Sequence, residues 1–233
     1  MRHLLQLAAV TAALAATTAH AQIINPDKLV APPPPNPARH YPHKSTSADV
    51  QWLWKYTQPA PNGNLGGLLA DSRFPTLLHD QLRAPQSFFR DGHAPLDEAA
   101  TRYLGTQFSV TGTDNRYITA TGCVPQNCVD QGMLFVDTLG THPLVVFAAT
   151  AWTTVGKPSE DPAADFNLWI FPGAALDPEH PPFALTQAIS RWNSTAAQHI
   201  QTAILVDPDG TPHKVDPSTF GAMSLVDRPS NKN

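Results

Sequence analysis

The two cysteines of the chain, Cys123 and Cys128, enclose four residues and are flanked on both sides by segments with a period of two. This constrains the fold more than any other feature. Tyr117 and Ile118 start one strand, which runs into Gly122-Cys123, and Gly132 to Thr138 reads as the next. Cys123-Val124-Pro125-Gln126-Asn127-Cys128 is therefore a strand–loop–strand crossing at a sheet end. A redox pair of the thioredoxin type encloses two residues and sits at a helix start, which lowers the thiolate pKa. Neither condition holds here, so a structural disulfide is expected, holding Val124 to Asn127 as a stiff protruding loop. Closing so short a loop stabilises by roughly 2 kcal/mol on the chain-entropy model. A stiff loop loses little entropy on docking, which favours a binding role. A plain stapled hairpin has the same spacing, and spacing alone does not separate the two.

The N-terminus points to export. Residues 1–21 contain Arg2, an apolar stretch from Leu4 to Ala16, and the small-x-small triplet Ala19-His20-Ala21. This is the pattern of a cleaved signal peptide, with a mature start at Gln22 and a periplasmic or secreted product. Removing Arg2 with it takes the formal charge from −4 to −5. Residues 22–48 hold Pro32 to Pro35, Pro37 and Pro42, and read as a proline-rich disordered arm or spacer.

From Asp49 the chain becomes domain-like. Val50, Trp52, Trp54 and Tyr56 alternate and fit a strand, with a short helix as the other option. Asp71 to Leu82 and the segment beginning at Pro95 carry helical stripes, the second ended by Gly105. Strands follow from Gln107, at Tyr117, over 132–138, 143–150 and 166–171, with a turn at Thr113-Asp114-Asn115. Pro181 and Pro182 precede a helix with Leu185, Ala188, Ile189, Trp192 and Ala196 on one face. A strand from Ile200 to Val206 and a turn at Pro208-Asp209-Gly210 complete the pattern. The expectation is an α+β domain over 49–215, an antiparallel β-sheet with helices packed on it, and a fraying tail over 216–233.

Composition narrows the function. There are 24 prolines, about twice the usual share, and only 15% of residues are charged. With 15 Lys+Arg against 19 Asp+Glu and no basic block, a nucleic-acid binder is disfavoured. No internal stretch is long enough to span a bilayer. Two thiols cannot complete a four-thiolate metal site, and the ten histidines form no HExxH or HxH pattern. No nucleophile elbow, Walker loop or dinucleotide fingerprint occurs, so no cofactor, metal or catalytic residue is expected.

Tyr117 through Cys128 resembles the signature of the Ivy family, bacterial inhibitors of vertebrate lysozyme. In that family a strand enters a Cys-x-Pro-x-x-Cys loop and an apolar strand follows, here Met133-Leu134-Phe135-Val136. Pro85 to Gly92 resembles the family's apolar turn before its first strand. Leu168-Trp169 and the region from Ala174 to Trp192 resemble its late strand and terminal helix, so the likeness covers about residues 72–200. The resemblance implies a loop that enters the cleft of a c-type lysozyme and occludes its two catalytic carboxylates. The family's central contact is a loop histidine, and Gln126 stands at that position. An amide donates neutral hydrogen bonds where an imidazolium would donate stronger, charge-assisted ones. The expected function is a periplasmic inhibitor of lysozyme or another muramidase, acting through Cys123 to Cys128. The alternative is a non-inhibitory envelope module or immunity protein on the same scaffold.

Overall fold

A computed structural model of the chain describes residues 49–57, 63–106, 109–153, 157–159, 161, 164–196 and 198–222. The expected signal peptide, the proline-rich arm, and Gln107 and Phe108 lie outside these described residues. Seven strands form one sheet in chain order: β1 (Val110–Thr113), β2 (Tyr117–Val124), β3 (Asn127–Asp137), β4 (Leu144–Trp152), β5 (Asp165–Pro172), β6 (His199–Val206) and β7 (Pro212–Val215). Short connections make antiparallel neighbours. Between β1 and β2, the Arg116 N–H donates to the Thr113 carbonyl at 3.1 Å. Asp114 and Asn115 both have positive φ, 54° and 50°, the signature of a type I′ turn in residues that tolerate it.

The expected α+β architecture is present, with one departure from the antiparallel pattern: β5 and β6 run parallel. A parallel pair needs a crossover, and the helix α4 (Phe183–Ala196) supplies it. Pleating then sorts the side chains to two faces. Ile118, Ala120, Leu134, Val136, Phe147 and Phe171 meet α1 (Leu65–Leu69), α2 (Arg73–Gln81) and α3 (Leu96–Tyr103). Met133, Phe135, Val146, Ile170 and Leu205 meet Leu185, Ile189 and Trp192 of α4. In β4, Val145 through Ala149 are buried without interruption, because helices cover both faces.

Two expectations are corrected. Gln51–Tyr56 is a 3-10 helix rather than a strand. Its buried residues, Leu53 and Tyr56, are three apart, the repeat of that helix. Arg73 stacks its guanidinium 4.3 Å from the Trp52 ring centre, and Trp54 lies where a side chain on Gly112 would have to go. Both indoles therefore anchor this helix to the domain. Asp71, at the start of α2, accepts from Arg73, Lys55 and the Tyr56 hydroxyl, tying the same two helices together.

The second correction is at the C-terminus. Residues 216–222 do not fray: Pro217–Phe220 is a 3-10 helix whose first turn is capped by Asp216, which accepts from the Ser218 N–H at 2.8 Å. Phe220 and Ala222 are fully buried in the core on the α4 face. A single aromatic anchor leaves no periodicity, which is why the pattern misses it. At the opposite end of the sheet, Gly63 (φ 55°) packs its backbone directly on the Val110 carbonyl of β1. No helix among the described residues is long and apolar enough to cross a membrane.

Candidate functional site

The ladder between β2 and β3 runs unbroken from Tyr117↔Asp137 to Cys123↔Gln131, then jumps to Val124↔Asn127. Residues 128–130 of β3 thus lie between two pairs that are adjacent on β2, a bulge that bends the end of β3. The bend brings Cys128 back to Cys123, and the two are disulfide-bonded with Cα atoms 4.9 Å apart. Pro125 and Gln126 make the turn. Proline fixes φ near −65° at the first central position, and Gln126 has φ 67° at the second. That pairing belongs to a type II turn, whose second position favours Gly or Asn. A glutamine there stores about 1–2 kcal/mol of strain.

The base of the loop is held by α3 and the residues after it. Thr106 and Cys123 exchange backbone hydrogen bonds of 3.0 and 3.2 Å. The Pro125 ring lies against Gly105, where a Cβ would come within 2.8 Å of it. Beneath α3, Gly122 and Gly132 are directly paired, and both lie against the backbone of Tyr103 and Leu104. Only glycines let a helix end settle so close to a sheet. Val124 and Pro125 are consequently half-buried, and the loop exposes Gln126 and Asn127 at its tip. All six residues of the expected loop are thus brought together, but they divide into a seated shoulder and a two-residue tip.

Behind the tip, Asn127 donates its amide to Asp130 at 3.1 Å, and Asp130 also accepts from the Trp152 N–H at 3.0 Å. Burial pushes the Asp130 carboxyl above the usual carboxylate range against these bonds. Burial, followed by the charge of Asp130, pushes the Tyr103 phenol up as well. The Gln126 amide makes no hydrogen bond among the described residues, so both its N–H groups are free to donate outward.

Sequence reasoning missed the groove beside the loop. It measures about 540 Å³ and is lined by Phe89, Arg90, Pro95, Glu98, Arg102 and Pro125, among others. Glu98 and Arg102 are four apart on α3, a spacing that predicts a mutual ion pair. Instead Glu98 accepts from Arg90 at 2.6 Å. Arg102 has no ion pair among the described residues and lines the groove together with Pro125, Asp97 and Glu98. The missing signal was Arg90, whose positive φ of 48° belongs to the preceding turn.

Chemically, the site offers donors: the Gln126 amide at the tip and the Arg102 guanidinium in the groove. Among the described residues, no group of three or more His, Cys, Asp or Glu side chains could hold a metal ion. No protein-family model matches the chain, and neither a curated protein nor a solved structure matches it.

Proposed function

We propose that the chain is an exported inhibitor of lysozyme or a related peptidoglycan-cleaving glycosidase, lodging the Cys123–Cys128 loop in the enzyme's cleft. The observation that carries this reading is the loop tip: a disulfide-held turn with a free amide, beside a groove in which Arg102 has no ion pair among the described residues. Both are donors suited to a pair of catalytic carboxylates. The resemblance of Tyr117 to Cys128 to the Ivy loop supports the same target class, and the disulfide is compatible with a periplasmic or otherwise extracytoplasmic location. Where the Ivy loop presents a histidine, this chain divides the task. Gln126 supplies geometry, and Arg102 supplies charge that does not titrate in the working range.

The test is inhibition of a c-type lysozyme and a second muramidase by wild type, Gln126→Ala, Gln126→His and Arg102→Ala, at pH 5.5 and 7.5. Each alanine variant should lose about 1.5–3 kcal/mol of binding, or roughly ten- to hundredfold in inhibition constant. Histidine tolerates positive φ, so Gln126→His should fold and bind more tightly at the lower pH. Gln126 itself does not titrate, so wild type should lack that imidazole step. Equal inhibition by all four proteins would move the inhibitory surface away from the loop. Inhibition by none would favour the envelope-module reading.

A further inference from the structure

On the other face of the sheet, away from the α3 groove, the strands beyond β3 change character. Under α4, β3 presents Met133 and Phe135, which fill the space to the helix. One strand further out, the same rows are occupied by Thr121 and Thr119, and beyond them by Ser109 and Thr111. Ile118 and Ala120 point to the α1–α3 side, so these four hydroxyl residues share the α4 face. They are too short to reach the helix. A pocket of about 320 Å³ remains between them and α4.

Its walls mix apolar surface with polar groups, and their one charged residue among the described residues is Arg191. Gln131 closes the β3 side, and Arg191, Trp192 and Thr195 come down from α4. Arg191 has no ion pair among the described residues, and no acidic residue lines the pocket. Trp192 is only 6% exposed, and its indole N–H finds no acceptor among the described residues. A buried donor without a partner is unusual and costs about 1–3 kcal/mol.

We propose that this pocket binds a small sugar acid. The hydroxyl shelf and the Gln131 amide match ring hydroxyls, which both donate and accept. Ala188, Ala196 and the exposed edge of Trp192 supply apolar contact for a pyranose ring, and Arg191 takes the carboxylate in a bidentate pair. The volume lies at the lower end for ligand sites, which fits one ring rather than a chain of them. This site does not depend on the loop reading: it lies on the opposite face and uses none of the loop residues.

Two sources supply a carboxylate on a polyhydroxy ring: the lactyl ether of muramic acid, and uronic acids. Calorimetric titration of the full chain with N-acetylmuramic acid, N-acetylglucosamine, glucuronic acid and glucose separates them, because each acid is matched to a neutral counterpart. The expected result is millimolar or tighter binding of at least one acid, at least tenfold weaker binding of its neutral counterpart, and a loss of about tenfold or more in Arg191→Ala. The preferred acid then identifies the source. Arg191→Gln should show the same loss while keeping most of the side-chain stem. Thr119→Val, which keeps the shape and removes one hydroxyl, should weaken binding several-fold. Lysozyme inhibition should be unchanged in all three variants. Absence of binding by both acids at 10 mM would overturn the proposal, as would equal binding of acids and neutral sugars.

Discussion

Replacing Gly122 with alanine probes the contact that sets the loop in place. The backbone at Gly122 is in a region any residue adopts, so the effect is steric. A Cβ there would lie 2.6 Å from the Leu104 carbonyl oxygen and 2.8 Å from both the Leu104 carbonyl carbon and Cα. All three are backbone atoms, so no side chain can swing aside. Reaching an ordinary contact of 3.4 Å requires the end of α3 to retreat by 0.8 Å. Overpacking of this kind costs about 1–3 kcal/mol, and rigid backbone neighbours place Gly122→Ala toward the upper end. The lower entropy of the unfolded alanine chain offsets about 0.4–1 kcal/mol of that. The net loss is about 2 kcal/mol, or a melting temperature lower by roughly 4–8 °C for a domain of this size. Gly66→Ala is the control of opposite sign. It lies in α1 with its nearest atom 3.8 Å away, so alanine should be neutral or stabilise by up to about 1 kcal/mol. Differential scanning calorimetry on both variants provides the comparison. Because α3 leads into Gly105 and Thr106, Gly122→Ala should also weaken whatever the loop binds. A Gly122→Ala protein melting within about 1 °C of wild type would refute the close seating of α3 on the sheet.

Phe220→Ala tests the C-terminal anchor: truncating a fully buried phenylalanine should cost about 3–5 kcal/mol in urea unfolding, whereas a frayed tail would leave the midpoint unmoved. Asp71 gives a pH dependence. The Arg73 hydrogen bond first, and then the Tyr56 hydroxyl, hold its carboxyl well below the usual range. A depressed carboxylate stabilises the fold above its unfolded pKa of about 4, and that contribution disappears as the pH falls through this value toward the folded pKa. Wild type and Asp71→Asn should therefore keep a constant gap in melting temperature from pH 7 down to about pH 4, and the gap should narrow progressively below that; a gap that stays constant as the pH is taken well below 4 would contradict the assignment.

Sequence patterning gave most of the sheet because its strands are local. Alternation in β2, the continuous apolar run of β4 and the turn at Asp114-Asn115 are each readable within about ten residues. The disulfide was legible for the same reason. What escaped depended on distant partners. The 3-10 helix at Trp52 and Trp54 is fixed by Arg73 and Gly112, and alternation over seven residues cannot distinguish it from a strand. The parallel β5–β6 pair follows from where α4 packs, and Phe220 is buried through tertiary contact alone. In the site, the loop residues were visible but their division into shoulder and tip was not, since the Thr106 bridge and the Gly105 contact join segments about twenty residues apart. Arg102 was hidden by the competing partner of Glu98.

An open sheet always has two strands with one unpaired side, and such sides recruit strands from other molecules. Here both are guarded. An incoming strand at β1 would have four residues to pair with and would have to displace Gly63 from the Val110 carbonyl. At β7 it would meet Pro212, which has no N–H to offer, with the charged Lys214 two residues on, and the chain then turns away into the helix that buries Phe220. The sheet is thus guarded against growth by polymerisation at both ends without being closed into a barrel.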